Sequence, residues 1–269
     1  MISLENAQLQ VELLDPRADR ERFGTRYCTG GYIFQITDAD HGPLLSGPTY
    51  PESFNWFDGQ GIPDAFNLSP LLAQSGGDAL IVGVGICHLE QRVVRAFCNW
   101  TVEHGERQIT FATEQRCEDF ALTLTRTVSL HGRTVRSHTH VANTGRNAIP
   151  LRWFPHPFFP QPQDDELLWI NAPIRWRDAP GYVQLDNGFI ARRGWPWRDG
   201  QYLPLDHAAT TPLVLVQRHR VLGLVTASCS YVPDFFPIWG NPVTFSWEPF
   251  LERTVASGQS HAWWIDYTF

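Results

Sequence analysis

Residues 120–130, FALTLTRTVSL, contain the pattern that decides the fold. Apolar and small or polar residues alternate along this stretch. One face carries Phe120, Leu122, Leu124, Val128 and Leu130, and the other carries Ala121, Thr123, Thr125, Thr127 and Ser129. A repeat of two is the period of a β-strand, whose successive side chains point to opposite faces. The stretch therefore predicts a long strand with one buried face.

The next stretch, residues 134–142 (TVRSHTHVA), alternates in the same way. Only residues 131–133 separate it from the first strand, a connection short enough for a β-hairpin. The same pattern predicts further strands at residues 9–13, 32–37, 95–102, 108–113, 213–217, 222–227, 243–248 and 262–269. Few windows have helical spacing. So many alternating strands predict an all-β protein built as a large antiparallel β-sandwich.

Arg126 is the exception on the apolar face of the first strand. An unpaired buried cation is too costly for a folded protein to keep. The guanidinium of Arg126 must therefore either pair with a buried acid or emerge into a cleft, where it could bind a ligand. The sequence leaves both possibilities open.

The composition indicates one compact domain. The chain has 269 residues, of which 43% are hydrophobic, enough for a large core, and all-β sandwiches of this length commonly form a single domain, here residues 1–269. The 20 Pro and 21 Gly are spread along the chain, as expected for many short turns between strands. A net charge of −7 argues against nucleic acid as a partner.

The charged and cysteine residues exclude further classes of protein. All 21 cationic side chains are Arg, so Schiff-base chemistry on a lysine and Walker-type phosphate binding are excluded. The N-terminus has no basic region followed by an apolar stretch, and no apolar run reaches the ~18 residues of a membrane span, so we expect neither secretion nor membrane insertion. Five cysteines without a CxxC motif indicate reduced thiols and a cytoplasmic location.

Two regions, residues 47–77 and 192–206, lack a sustained period and are rich in aromatic residues. Long loops of this kind often form part of a binding rim. Exposed Trp and Tyr rings beside polar groups suit sugars, whose C–H faces pack on the rings while their hydroxyls accept and donate hydrogen bonds. A rigid aromatic core beneath the loops is the alternative interpretation for any one ring.

Two short motifs carry groups that could exchange protons. His156, in His156-Pro157-Phe158-Phe159, is held between two prolines and among aromatic rings, which favour a pKa near neutral or below. Glu248, in Trp247-Glu248-Pro249, lies on the polar face of the strand predicted at residues 243–248, so its carboxylate should point away from the bulk of the core. A buried histidine bonded to a carbonyl and a surface glutamate on an edge strand are the competing interpretations.

These motifs resemble the aldose 1-epimerase family, the galactose mutarotase-like proteins. In that family a strand ending in Asn-Thr-Gly or a similar sequence leads to a His followed by a small residue, an aromatic residue and Phe. A Glu on a late strand then precedes a Gly-containing turn and a closing aromatic strand. The matching residues here are 141–145, 156–159, 245–249, 257–258 and 267–269, with weaker matches at 30–33 and 83–85. The resemblance implies the supersandwich fold of the family.

The resemblance also implies an isomerase that interconverts sugar anomers. Ring opening of an aldopyranose removes the proton of the C1 hydroxyl and protonates the ring oxygen, and closure on the other face of the carbonyl gives the other anomer. One base and one acid are sufficient, without a metal, nucleotide or other cofactor. Glu248 is the predicted base and His156 the predicted acid.

The predicted ligand is a small-molecule sugar or sugar phosphate. Asp206, in Asp206-His207, resembles the carboxylate with which family members bind sugar hydroxyls. Arg152 and Arg126 are candidate hydroxyl or phosphate ligands, and Phe158 is the candidate aromatic contact beside the catalytic histidine. The family also carries an earlier histidine, for which His88 lies in the right part of the chain but in a different context.

Other interpretations remain open. The same fold and aromatic rim could serve a non-catalytic sugar-binding protein. His138 and His140 lie on one face of the second strand, a spacing also seen in the metal sites of cupin-like enzymes, but further ligands are not evident. The Arg-rich residues 15–28 could bind an anion or form a solvated turn.

Overall fold

The computed structural model describes residues 1–72, 77–177 and 179–269. Within these ranges the helical structure is a single 3₁₀ turn at Arg20–Arg22, and no helix has the length and apolar character needed to cross a membrane. The all-β prediction is confirmed. In chain order the strands are β1 (Ile2–Glu5), β2 (Leu9–Leu13), β3 (Ile33–Asp38), β4 (Gly42–Pro43), β5 (Asp64–Ala65), β6 (Leu71–Leu72), β7 (Asp78–Ile81), β8 (Gly85–His88), β9 (Val93–Phe97), β10 (Thr101–His104), β11 (Gln108–Cys117), β12 (Phe120–His131), β13 (Thr134–Asn143), β14 (Ile149–Pro155), β15 (Phe159–Pro160), β16 (Glu166–Ile170), β17 (Ile174–Arg175), β18 (Tyr182–Gln184), β19 (Ile190–Arg192), β20 (Gln201–His207), β21 (Val214–His219), β22 (Gly223–Cys229), β23 (Phe236–Gly240), β24 (Thr244–Trp247), β25 (Leu251–Val255) and β26 (Ser260–Thr268).

The largest sheet has ten strands in the order β10-β11-β12-β13-β26-β22-β21-β16-β19-β18. Its third and fourth strands form the predicted hairpin, in which β12 and β13 pair antiparallel from Leu122 with Asn143 to His131 with Thr134. Gly132 in the turn has a φ of +57°, a left-handed conformation that glycine adopts without a steric cost. The alternation in residues 120–130 therefore marks an interior strand of the main sheet.

Smaller antiparallel sheets contain the strands that end beside His156 and Glu248. The order β15-β24-β23-β20-β17 forms a five-stranded sheet, β25-β14-β5 a three-stranded sheet, and β1 to β4 and β6 to β9 two four-stranded sheets. Strand β14 ends immediately before His156, and β24 ends immediately before Glu248. Two residues that are remote in sequence are thus presented by neighbouring strand ends.

The inward faces of the ten-stranded and five-stranded sheets pack together through aromatic residues. Trp247 on β24 stacks on Phe159 and on Tyr267 of β26, at ring-centre distances of 6.3 and 5.8 Å. Its indole Nε1 donates a hydrogen bond to Gln217 Oε1 on β21 at 2.7 Å, so a polar atom that packing removes from water keeps a partner. The predicted sandwich is confirmed, and this packing holds the residue next to Glu248 rigidly.

Arg126 lies in this core, with 1% of its side chain exposed. Its Nη1 donates to Asp64 Oδ1 at 2.6 Å, its Nη2 pairs with the second oxygen of Asp64, and Nη2 also donates to Ser137 Oγ at 3.1 Å. A buried guanidinium needs such partners to offset its lost hydration. The structure therefore shows the ion-paired alternative, and Arg126 does not reach a cleft where a ligand could bind.

Two of the predicted strands differ from the structure for reasons that packing explains. Residues 95–102 are divided between β9 and β10, because Trp100 between them is buried and donates from Nε1 to Thr29 Oγ1 at 2.7 Å. The strand predicted at residues 243–248 is shortened to β24, and its polar residues Thr244 and Ser246 are as buried as its apolar ones. Tertiary packing overrides alternation where both faces of a strand are covered.

Candidate active site

A cavity of about 560 Å³ opens beside the ends of β14 and β24. It is lined by Arg26, Pro48, Thr49, Phe57, Asp58, His156, Phe158, Arg198, Gly200, Tyr202, Trp239, Asn241, Pro242 and Glu248. Both regions predicted as binding rims, residues 47–77 and 192–206, contribute to the cavity, although residues 73–76 lie outside the part of the chain that the structure describes. The two predicted proton-transfer groups share this cavity.

Backbone hydrogen bonds hold His156 in place. Its N–H donates to the carbonyl of Pro63 at 2.8 Å, and the N–H of Phe158 donates to the carbonyl of Gly61 at 2.7 Å. The imidazole stacks on the Phe158 ring at a centre distance of 4.3 Å, with the edge of Trp239 at 6.1 Å. The segment after β14 is therefore tied to the chain before β5, and the ring has little freedom to move.

Glu248 is anchored from both sides. Its N–H donates to the carbonyl of Pro237 at 2.9 Å, and the residue before it is the packed Trp247. Only 7% of Glu248 is exposed. A carboxyl group on so tightly packed a strand end has little freedom to change direction, as proton transfer requires.

The two side chains meet at their polar ends. His156 Nε2 lies 3.4 Å from Glu248 Oε1, and the other ring nitrogen, Nδ1, lies 2.8 Å from Ser246 Oγ. Ser246 is fully buried. A hydroxyl can accept from a protonated nitrogen or donate to a bare one, so Ser246 keeps Nδ1 occupied in every protonation state. The nitrogen left for chemistry is Nε2, which faces Glu248.

Burial moves the pKa values of the pair in opposite directions. It raises the pKa of Glu248 from 4.5 to about 7, and the charge of Arg26 opposes part of this rise. Burial, and secondarily the charge of Arg26, hold the pKa of His156 well below its ordinary value of 6.5, as the sequence predicted. Below neutral pH the pair therefore carries one proton, and that proton rests on the carboxyl group.

Aromatic rings form the walls and rim of the cavity. The ring of Trp239 on β23 lies beside His156 and Phe158, whereas Tyr202 on β20 and Phe57 are 55% and 46% exposed. Other tryptophans, such as the buried Trp247, belong to the core, which is the alternative that the sequence left open. The exposed rings offer flat apolar faces beside polar groups, an arrangement suited to sugars.

Of the four predicted substrate ligands, only Phe158 lines the cavity. Arg126 is the buried partner of Asp64 described above. The guanidinium of Arg152 pairs with Glu252 across β14 and β25, with 3.0 Å between Nε and Oε1. Asp206 is exposed near the far end of β20, four residues beyond Tyr202, which is roughly 13 Å along a strand. Asp206 thus lies on a strand that reaches the cavity, but the residue of β20 that lines the cavity is Tyr202.

The other histidines considered from the sequence, His88, His138 and His140, lie outside the cavity. His88 is on β8, where its Nδ1 accepts a hydrogen bond from the N–H of Gln91, and it does not line the cavity. His138 and His140 lie on β13 in the ten-stranded sheet. In the described ranges no three or more His, Cys, Asp or Glu side chains are grouped so as to hold a metal ion.

Sequence reasoning missed several lining residues. Arg26 lies in the Arg-rich stretch that was considered only as a possible anion site or solvated turn, and Arg198 lies in the second aromatic loop. Trp239 and Asn241 come from Ile238-Trp239-Gly240-Asn241-Pro242, where an aromatic residue is followed at once by three turn-forming residues. That pattern could have predicted a strand end at a rim.

The same fold occurs in solved structures of galactose mutarotase-like proteins. A galactose mutarotase related enzyme from Lactobacillus acidophilus matches with a TM-score of 0.65 and 14% identity, over 99% of this chain and 96% of that chain. A galactose mutarotase-like protein from Lactobacillus casei ATCC 334 matches with a TM-score of 0.59 and 18% identity, over 100% and 99%. A GalM/aldose epimerase homologue from C. elegans matches with a TM-score of 0.53 and 13% identity, over 99% and 97%.

These similarities establish the fold. The chain has the galactose mutarotase-like fold, and the resemblance predicted from its motifs is confirmed at that level. No protein-family model and no curated protein sequence matches the chain. What the cavity does must therefore be inferred from its own residues.

Proposed function

We propose that this protein is an isomerase of the aldose 1-epimerase type, which interconverts the anomers of a sugar by acid-base ring opening. The observation that carries the proposal is the convergence of Glu248 and His156 in one aromatic-walled cavity, with 3.4 Å between Oε1 and Nε2. The opposed pKa shifts of the two groups support it, because a pair that shares one proton can give and take a proton in the same turnover.

Ring opening uses the pair with Glu248 ionised and His156 protonated. The carboxylate takes the proton of the C1 hydroxyl while Nε2–H of the imidazolium protonates the ring oxygen, so the C1–O5 bond breaks and an aldehyde forms. After this step Glu248 is protonated and His156 is neutral. Rotation about the C1–C2 bond presents the other face of the aldehyde, and the reverse transfers close the ring as the other anomer with no net change in protons.

The pKa values of the pair favour the proton distribution of the open-chain stage. The pKa of Glu248 is about 7 and that of His156 lies well below 6.5, so the resting proton is on Glu248. His156 can act as the acid only after that proton has crossed to Nε2. The short separation of the two atoms permits this transfer, and Ser246 accepts the hydrogen bond that Nδ1–H then donates.

The proposed ligand is a small-molecule sugar. Trp239 and Phe158 offer ring surfaces against which a sugar C–H face can pack, and Asn241 can exchange hydrogen bonds with hydroxyls. We also propose that residues 1–269 form one domain that acts in the cytoplasm. The five free thiols, at Cys28, Cys87, Cys98, Cys117 and Cys229, support a reducing compartment.

The test is to follow anomer interconversion by NMR exchange over a panel of free and phosphorylated aldoses. Glu248→Gln should lower the catalysed rate of anomer exchange by about 10²–10⁴-fold, because the amide cannot take a proton. Binding of the sugar should persist. Glu103→Gln, on the exposed strand β10, is the matched control and should leave the rate unchanged. A protein that binds a sugar without accelerating exchange of any aldose would instead be the non-catalytic sugar-binding protein.

A further inference from the structure

Two arginines of the cavity, Arg26 and Arg198, have no carboxylate partner among the described residues. Most buried or half-buried arginines in those ranges are paired, as seen at Arg126, Arg133, Arg152, Arg192, Arg218 and Arg253. An unpaired guanidinium retains donors that match the oxygens of a phosphate or carboxylate. The cavity thus contains two such donor groups in a chain whose net charge is −7.

Arg26 is held near the catalytic pair. It lies over the rings of Tyr27 and Phe57, at 4.9 and 4.8 Å from their centres, and its Nη1 donates to the carbonyl of Phe57 at 2.6 Å. Arg26 lines the same cavity as Glu248 and His156, and its charge lowers the pKa of both groups. Arg26 therefore presents a fixed cation in the wall of the cavity that contains the pair.

Arg198 is exposed and lies in the loop before β20, next to the rim residue Tyr202. The acidic side chains of the cavity cancel only part of the charge of the two arginines. Asp58 carries one negative charge, whereas Glu248 is protonated below neutral pH. Below neutral pH the cavity lining therefore has a net positive charge, which raises the local concentration of anions.

We propose that the substrate is a sugar with an acidic substituent, a phosphate or a carboxylate, at the end remote from its anomeric carbon, and that Arg198 binds this substituent. The inference rests on the proposed function for the orientation of the sugar: the hemiacetal lies against Glu248 and His156, and the acid group extends to the exposed Arg198. Arg26, in the same cavity wall, contributes to the positive field.

The experiment measures binding by calorimetry for three probes of one stereochemistry: glucose, glucose 6-phosphate and glucuronate, with the galactose series in parallel. Arg198→Gln should weaken binding of the acidic sugars by about 10-fold to 100-fold, as expected for a lost charge-assisted contact, and change binding of the neutral hexose less than about twofold. Arg220→Gln removes an exposed cation from a neighbouring groove outside the cavity and should leave all three affinities unchanged.

The two acidic probes distinguish the source of the charge. Tighter binding of the phosphate or of the uronate, weakened by added salt and by Arg198→Gln, supports the inference and identifies the substituent. Equal affinity for neutral and acidic sugars, or an equal loss for both in Arg198→Gln, overturns it. Anomer exchange is measured on the same samples: acid-selective binding without exchange would refute the isomerase but keep the acidic-sugar site.

Discussion

Replacement of Glu248 by Gln should stabilise the folded protein at alkaline pH, although it removes the proposed base. The folded state raises the pKa of this carboxyl from 4.5 to about 7, so the folded protein holds the proton more tightly than the unfolded chain does. The free energy of unfolding therefore falls as the pH rises from about 4.5 to about 7. The shift corresponds to about 3 kcal/mol, and Gln, which stays neutral, escapes this loss.

The assay is urea unfolding followed by tryptophan fluorescence at several values between about pH 4 and about pH 8. The free energy of unfolding of Glu248→Gln minus that of the unchanged protein should rise by about 3 kcal/mol across this range. His156 and the other titrating groups are present in both proteins, so their contributions to the free energy of unfolding largely cancel in the difference. The same curves should contain one transition if residues 1–269 are one domain.

Glu103→Gln serves as the control, because water reaches this carboxyl in both the folded and the unfolded chain. The difference in the free energy of unfolding between Glu103→Gln and the unchanged protein should stay constant with pH. A constant difference for Glu248→Gln as well, or a variant that loses stability as the pH rises, would refute the idea that burial holds the Glu248 carboxyl in its neutral form.

Two further predictions concern the rate of anomer exchange. The active pair holds one proton, and Glu248 has a pKa of about 7, so kcat/KM should fall as the pH rises above about 7. The rate is measured after subtraction of the spontaneous exchange. A rise of kcat/KM through alkaline pH would contradict the shared-proton mechanism. Ser246→Ala should lower kcat about tenfold and leave KM within about twofold, because Nδ1 of His156 loses its partner. An unchanged kcat and an unchanged pH profile would show that Ser246 does not position the imidazole.

Strand positions could be predicted wherever one face of a strand is buried and the other is not. Residues 120–130 alternate cleanly because β12 packs one side against the core. Alternation is less accurate at β24, where both faces are covered: it predicts that the polar face carrying Glu248 points away from the core, but Ser246 on that face is buried beside His156. Periodicity reports burial on one side of a strand and carries no information once both sides are buried.

The residues of the candidate site also fall into those that the sequence could predict and those that it could not. Glu248 and His156 could be selected from their motifs, because proton transfer needs those side chains in a stiff, aromatic context. The two-residue motif Asp206-His207 predicts Asp206 as a substrate ligand, but Tyr202 of the same strand lines the cavity. The sequence does not predict that Arg26 lines the cavity, because the position of Arg26 depends on its packing with a loop some thirty residues later in the chain.

By itself, the sequence determined that the chain forms long antiparallel strands and that it carries a histidine and a glutamate suited to proton transfer. These are local properties, since backbone geometry and side-chain chemistry are set within a few residues. Only the tertiary structure decided that Oε1 and Nε2 of these residues approach each other, that Arg126 pairs with Asp64 inside the core, and that Arg26 and Arg198 face the cavity. Desolvation and ion pairing depend on which remote segments exclude water together, and that is a property of the packed sheets.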